Sequence, residues 1–535
     1  MHASALSAAV WIATWVAMVL TGCTLDFGKY TGPGDLDASA MDASRSDAGP
    51  DAGPRRDAGP DATLDAPTGF LTITSVTPNK GVGNSVQTVR IAGTGFTAST
   101  TVTFGGAPSS RVVLVSDVEL EADVPVGPEI GAIDVVVAEG SLENTLAGGY
   151  RRVNGTIRFR AGIRSLVSSL AVGSTPARVA LSTGLLAGGD ADVDAVVVTS
   201  SPSEVVALST GDGAGGFGDP ATDVSLPVDG LDVTVADFDG DGAEDIVVLQ
   251  ADRVTVYGTA SDTLTESSRY VLMGGRALSV LDYDHVGGLD MIVRGDAMSG
   301  ALSLLRNSGT GVFTTAPPLP LDAMYALNDA TTPGDVADFD GDGFVDYAVG
   351  ARRDPSTPVV LVYLRTASPP AFRATPTAIV IDGNGDLGAT VQQVVARDFD
   401  GDGNVDLFAV GVDFQTGPAR LIRGEGTGAF APAETIAVPG FDLLEDAAAA
   451  DFTCDGFPDV VATDDKAEIA ILDNRGGTFT ALTPLAAPMG SYFVDIAVAD
   501  LNGDELPDIL AVSVPEGSSN GSVEVHAFLN RGFEP

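Results

Sequence analysis

Two patterns of apolar residues divide this chain. Residues 9–20 form one unbroken apolar run, the length of a signal-peptide hydrophobic region and too short to cross a bilayer as a mature helix. From Leu71 onward the apolar residues come in short runs bounded by Asp, Gly and Pro. Some alternate with polar residues, whereas 246–249, 407–410 and 509–512 are continuous, and 231–236, broken by Asp232 and Thr234, reads with them as an inner strand. Short runs between turn residues predict β-strands, and the continuous ones predict strands buried on both faces. Between the two parts, residues 24–68 show no periodicity.

That middle stretch repeats Asp-Ala-Gly-Pro from Asp47, Asp51 and Asp57. Pro and Gly interrupt both regular structures and the aspartates repel one another, which predicts a disordered tether with a relaxed span of roughly 35–40 Å. Just ahead of it, Leu20-Thr21-Gly22-Cys23 resembles the lipobox of bacterial lipoproteins. The resemblance implies a signal peptide over 1–22, cleavage before Cys23, and lipid on its sulfur and new amino terminus. It implies anchoring in a bacterial cell envelope, with Thr24 compatible with the outer membrane or cell surface. The n-region departs from the pattern in having no Lys or Arg.

Composition narrows the chemistry. The 28 basic and 73 acidic residues give a net charge of −45. That balance excludes a nucleic-acid footprint and a polybasic membrane patch. With 44% hydrophobic residues the chain still builds a large core. The cysteines are Cys23 and Cys454, the histidines His2, His285 and His526, and both tryptophans (Trp11 and Trp15) lie in the leader. A mature chain with two His and no Trp is poor material for a Ser-His-Asp triad, a multi-His zinc site or a sugar-stacking platform.

Residues 69–153 carry Ser75-Val-Thr-Pro78, Gly93-Thr-Gly95-Phe96 and Val124-Pro125, with strand-like runs at 101–104 and 132–138. This order is similar to the IPT/TIG family of immunoglobulin-like domains, and it implies a small β-sandwich acting as a spacer or interaction module.

The remainder repeats itself. Asp237-Phe-Asp-Gly-Asp-Gly-Ala-Glu-Asp245 recurs at Asp338–Asp346, at Asp398–Asp406 and, with Asn502 in third place, at Asp500–Asp508. Eroded copies run from Asp282 to Asp290 and from Asp451 to Asp459, and a vestige from Leu186 to Asp194. Start-to-start spacings of 45 to 60 residues, with strands on either side of each loop, predict one four-stranded propeller blade per copy. Gly-rich hairpins ending in Phe, at 302–313, 421–430 and 469–479, predict ring packing between blades. Together these features resemble the FG-GAP/VCBS repeats of integrin-alpha-like propellers. The fold expected is therefore all-β: a tether, a sandwich, and a seven-bladed propeller over 154–535. Residues 156–167 look like a spare strand, expected to pair with 522–530 and close the ring.

Acids at loop positions 1, 3, 5 and 9, with Gly at 4 and 6, gather oxygen donors around a point and favour Ca²⁺. The candidate ligands are Asp237, Asp239, Asp241 and Asp245; Asp338, Asp340, Asp342 and Asp346; Asp398, Asp400, Asp402 and Asp406; and Asp500, Asn502, Asp504 and Asp508. The carbonyls of Ala243, Phe344, Asn404 and Leu506 are expected to complete these four sites. Asp451, Asp455 and Asp459, and Asp282, Asp284 and Asp290, are weaker candidates that would bring the count to six. An EF-hand is excluded because position 12 holds Val248, Val349, Ala409 and Ala511. Clustered carboxylates with no lysine nearby are expected to repel without metal. His285 and Cys454 each stand where the intact loops have their first Gly, and read as turn replacements. Arg294-Gly295-Asp296 spells an attachment tripeptide that chance readily produces in so Gly- and Asp-rich a chain.

The function expected is a non-enzymatic, calcium-stabilised, lipid-anchored surface protein that binds an extracellular protein or glycan, in adhesion. The rivals are a lectin-like polysaccharide-capturing module and a hydrolase using acids at the propeller mouth.

Overall fold

The computed structural model describes residues 71–530 apart from short loop stretches, the longest being 161–169 and 382–389. The leader, Cys23 and the tether lie outside the described residues. Among the described residues every regular element is a strand, and no helix is long and apolar enough to cross a membrane.

The first unit is a sandwich. One sheet orders Thr72–Thr77, Gln87–Thr94, Glu119–Val124 and Val112–Ser116. The other orders Lys80–Val82, Leu142–Val153, Gly131–Glu139, Thr101–Phe104 and Ala107–Pro108. Alternation along Glu119–Val124 sends Leu120, Ala122 and Val124 inward and their acidic neighbours outward. Ile91, Phe104, Val135 and Tyr150 complete the core, with Phe104 and Tyr150 edge to face at 5.7 Å.

Seven antiparallel sheets of four or five strands follow among the described residues, with one separate two-stranded hairpin, Arg365–Thr366 with Ala371–Phe372. Their innermost strands are Val179–Gly184, Asp232–Ala236, Gly275–Leu281, Asp335–Ala337, Thr390–Arg397, Ala447–Ala450 and Ser491–Ala499. Each packs against the next and the last against the first, which closes a ring. The second strand of every sheet lies between neighbouring sheets and is covered on both faces. That is why Asp245–Leu249 and Asp459–Thr463 are buried at every residue and carry continuous apolar runs. Phe159–Arg160 pairs with Leu529 and Asn530, and Leu170–Val172 with 521–523. The segment ahead of the first blade thus supplies the outer strand of the last sheet, as the sequence reading expects. Arg294 is 1% exposed within Asp290–Gly295 and its Nη2 donates to the Gly350 carbonyl at 3.3 Å, so the first residue of the attachment tripeptide is buried, while Asp296 lies outside the described residues.

Candidate metal centres

Each acidic loop joins the innermost strand of a blade to the second strand, and its ninth residue is where the chain turns back into the sheet. That Asp is buried in every copy. In the 338 loop, Asp346 Oδ2 accepts the N–H of Phe339 at 2.9 Å and Oδ1 that of Arg365 at 2.6 Å. Asp406 does the same with Phe399 and Gly424, and Asp508 with Leu501 and Asn530. Even the vestigial copy keeps it, with Asp194 accepting from Leu186 and Gly211. The ninth position therefore ties loop to blade whether or not a metal is held, which accounts for its presence in all seven copies.

The first Asp shapes the curl. Asp338 accepts from Gly341 and Gly343, and Asp398 from Gly401 and Gly403, at 2.7–2.9 Å. The fourth residue takes a left-handed conformation, with φ of 75° at Gly240 and 77° at Gly401, and His285 and Cys454 adopt it at 56° and 54°. Both are turn replacements in this sense. His285 also places Nδ1 3.3 Å from Asp282 and its ring beside Phe344.

Three carboxylates converge in four loops. Oxygens of Asp237, Asp239 and Asp245 lie within 4.8 Å of one another, as do those of Asp282, Asp284 and Asp290, of Asp338, Asp340 and Asp346, and of Asp398, Asp400 and Asp406. The third-copy loop gathers its acids as closely as the intact ones. The 451 and 500 loops form no such three-acid group among the described residues, because Thr453 and Asn502 stand at the third position. The fifth-position acids are not in these groups. Asp241, Asp342 and Asp402 instead accept the N–H of Ala243, Phe344 and Asn404 at 2.8–3.0 Å, and Asp504 that of Leu506. The seventh residues thus meet the fifth-position acids through their N–H groups.

Burial and mutual repulsion raise the ninth-position carboxyls. Asp245 and Asp346 are pushed up to about 7, Asp406 to about 6 and Asp508 to about 8, with burial the larger cause and the neighbouring loop acids adding to it. Asp290 reaches about 6. In the 451 loop Asp451 rises to about 7 and Asp459 well above the usual range, for the same reasons. The cations beside these acids are arginines, which the sequence reading did not anticipate. Arg373 reaches Asp340 at 2.8 Å, Arg423 reaches Asp400 at 2.9 Å, and Arg306 pairs with Asp284. These arginines come from 22 to 33 residues further along the chain, brought in by the hairpin on the far side of the blade.

The loops also sit on seams. Phe238, Phe339 and Phe399 pack against Phe313, Phe430 and Phe479 of the following blade at 5.7–5.8 Å. Asn307, Asn474 and Asn530 donate Nδ2 back to the carbonyls of Phe238, Phe399 and Phe452 in the preceding loop, at 2.7–2.9 Å. At the third seam Arg365 takes the place of that Asn, its guanidinium 4.2 Å from the Phe344 ring and 5.3 Å from that of Tyr283. A second set of buried acids fastens the seams near the axis. Asp232, Asp335, Asp446 and Asp495 accept the N–H of Leu278, Ala396, Ile496 and Leu181, each in another blade. Sequence reading missed these, although Asp232, Asp446 and Asp495 each stand five residues ahead of a loop start, a repeat visible in the chain.

The chemistry of the donor set fits a hard cation: carboxylate oxygens only, in a tight loop with glycine turns. Asp237, Asp239 and Asp245, and their counterparts at 338 and 398, are the residues that would hold calcium.

Fold and loops together define an all-β repeat protein, a sandwich followed by a ring of sheets with acidic loops at the seams. The chain carries an IPT/TIG domain over residues 71–151 and FG-GAP-like repeats over 249–349, 398–462 and 451–511. No curated protein matches it. Among solved structures it is similar to an auxiliary nutrient binding protein from Bacteroides thetaiotaomicron, at 12% identity over 86% of this chain and 99% of that one, TM-score 0.31. A protein of the same description from Bacteroides ovatus gives 12% identity, 87% and 99% coverage and a TM-score of 0.33. The Dos1 propeller gives 8% identity, 69% and 95% coverage and a TM-score of 0.39.

Proposed function

We propose that this is a non-enzymatic binding protein of a bacterial cell surface, carried on lipid at Cys23, with a calcium-stapled ring that engages an extracellular protein or glycan. The observation that supports it most directly is the convergence of three carboxylates in loops lying against the next blade's hairpin. A cation there neutralises repelling acids and stiffens a loop that packs against the next blade, which suits a rigid scaffold for recognition rather than turnover. Calcium supplies charge neutralisation and holds each loop's carboxylates together when bound. The chain's own residues do the rest: glycine turns orient the first Asp, the ninth Asp holds loop to sheet, and phenylalanine pairs seal the seam.

Calorimetric titration of the chelator-stripped protein with Ca²⁺ is expected to show saturable binding at several sites, weakened by Asp338→Asn and Asp398→Asn. An absence of binding heat and of any change in melting temperature would refute the metal reading. Metabolic labelling with palmitate is expected to mark the parent chain and not the Cys23→Ser variant. Partner capture is tested by incubating the calcium-loaded protein with extracellular protein and polysaccharide fractions.

A further inference from the structure

One terminal strand of the sandwich joins an unpaired edge to an apolar surface, and its chemistry identifies what closes it. Val112–Ser116 is the terminal strand of the sheet, paired with Glu119–Val124 on one side only. Three consecutive residues on it, Val113, Leu114 and Val115, are 38%, 39% and 51% exposed, and Val118 just beyond is 49% exposed. Natural edge strands are guarded by Lys, Pro, inward-pointing charges or bulges. Residues 112–116 contain no charge and no Pro. The one guard present is a bulge between Leu114 and Ser116. An apolar strand with unused backbone donors and acceptors is a template for another strand.

The flanks select the partner. Arg111 precedes the apolar run and Asp117 follows it, with no other charge between them. When two copies of this edge pair antiparallel, the Arg111 end of each lies beside the Asp117 end of the other, whichever register the bulge permits. Parallel pairing places like charges together, which is unfavourable. The segment is thus self-complementary in one orientation, and that orientation is two-fold symmetric and closes on itself. Arg111 already reaches Glu121 and Asp123 in its own sheet at 3.2 and 3.7 Å, but its side chain stays 47% exposed. The wider field also permits it. Residues 71–153 hold eight acids and five bases, −3 of the chain's −45, so the sandwich approaches its copy with far less repulsion than the ring would.

We infer that the sandwich is a self-association module, and that two copies of this chain pair antiparallel through the 112–116 edge. A five-residue edge is smaller than the ~1,200 Å² at which stable interfaces begin, so the dimer is weak in solution and strengthened wherever copies are concentrated.

The test is sedimentation equilibrium of the full chain under reducing conditions, from low micromolar to several hundred micromolar. The parent is expected to show a concentration-dependent monomer–dimer equilibrium. Leu114→Lys should remove it. Asp117→Arg, which places like charges at both ends, should weaken association at least tenfold. Val271→Lys, an exposed position on a blade, should leave it unchanged. Thermal melts of each variant show whether the fold is intact, and Asp117→Arg carries the test if Leu114→Lys fails to fold. A monomer at every concentration, or dimerisation undiminished by Asp117→Arg, overturns the inference.

Discussion

Stripping calcium should reverse the direction in which this protein's stability depends on pH, and Asp346 shows by how much. In the metal-free fold its carboxyl is raised from 3.8 to about 7, chiefly by burial. A carboxyl raised on folding holds its proton better in the native state. Its contribution is fully present below the unfolded value and is lost as pH climbs toward the folded one. Between pH 5 and pH 8 about two of the roughly three units are crossed, worth about 2–3 kcal/mol at ~1.4 kcal/mol per unit. At roughly 2 °C per kcal/mol for a unit this large, Asp346 alone moves the midpoint down by about 5 °C. Asp245, Asp406 and Asp508 act in the same sense. Saturating calcium opposes this, because the ion takes the deprotonated carboxylate and displaces the proton. Differential scanning calorimetry from pH 5 to pH 8, on chelator-stripped and calcium-saturated samples, reads both slopes. Asp346→Asn should remove part of the metal-free slope. A metal-free midpoint that is flat or rises with pH, or a variant that retains the full slope, would refute the reasoning.

Three further outcomes follow from the seams. Asn474→Ala removes donors held by the Phe399 and Pro458 carbonyls at 2.8 and 2.9 Å. It should cost about 2–4 kcal/mol in urea unfolding, since buried acceptors are left unmet. Asp495→Ala deletes the acceptor that joins the last blade to the first through Leu181. Hydrogen exchange at the 179–184 amides should accelerate while exchange in the third-blade strands stays as in the parent. His285→Gly relieves a left-handed backbone worth roughly 1–2 kcal/mol and gives up the contacts to Asp282 and Phe344. Stability should be unchanged or slightly higher, and a loss above about 1 kcal/mol would mean the side chain holds the third seam.

What the sequence displays is what lies close together along the chain. The acid loops, their glycine turns and the flanking strands are local, so nine consecutive residues such as Asp398 to Asp406 carry most of the site. The Phe-ended hairpins are legible for the same reason, each ending 28 to 32 residues after its loop begins. The arginines on Asp340 and Asp400 are not, because nothing local ties Arg373 or Arg423 to an acid 33 or 23 residues earlier. Only the return of the blade's outer hairpin over its own loop brings them there. The ninth Asp was read as a ligand alone, whereas Asp194 serves the backbone in a copy that has lost its first acid. Blade four departs from the shared pattern outside its acidic loop. Its innermost edge is split between Ala326–Leu327 and Asp335–Ala337, and an inserted hairpin, Arg365–Thr366 with Ala371–Phe372, replaces the Gly-rich turn. These insertions blur the period that makes the other blades visible.

The pairing of Phe159–Arg160 with Leu529 and Asn530 spans about 370 residues of chain. A ribosome or export channel releases residues in order, so the sandwich has all its strands long before the ring has its last. During that interval six blades are complete and the seam flanking Val179–Gly184 has no neighbour, exposing Leu181 and Val197, which the last sheet covers in the finished protein. The waiting ring is an open chain of sheets with two unsealed ends, the form in which it is most exposed to proteases and to its own copies. Anything that shortens that wait, whether faster release or a chaperone over the first blade, protects this protein more than strengthening any single blade would.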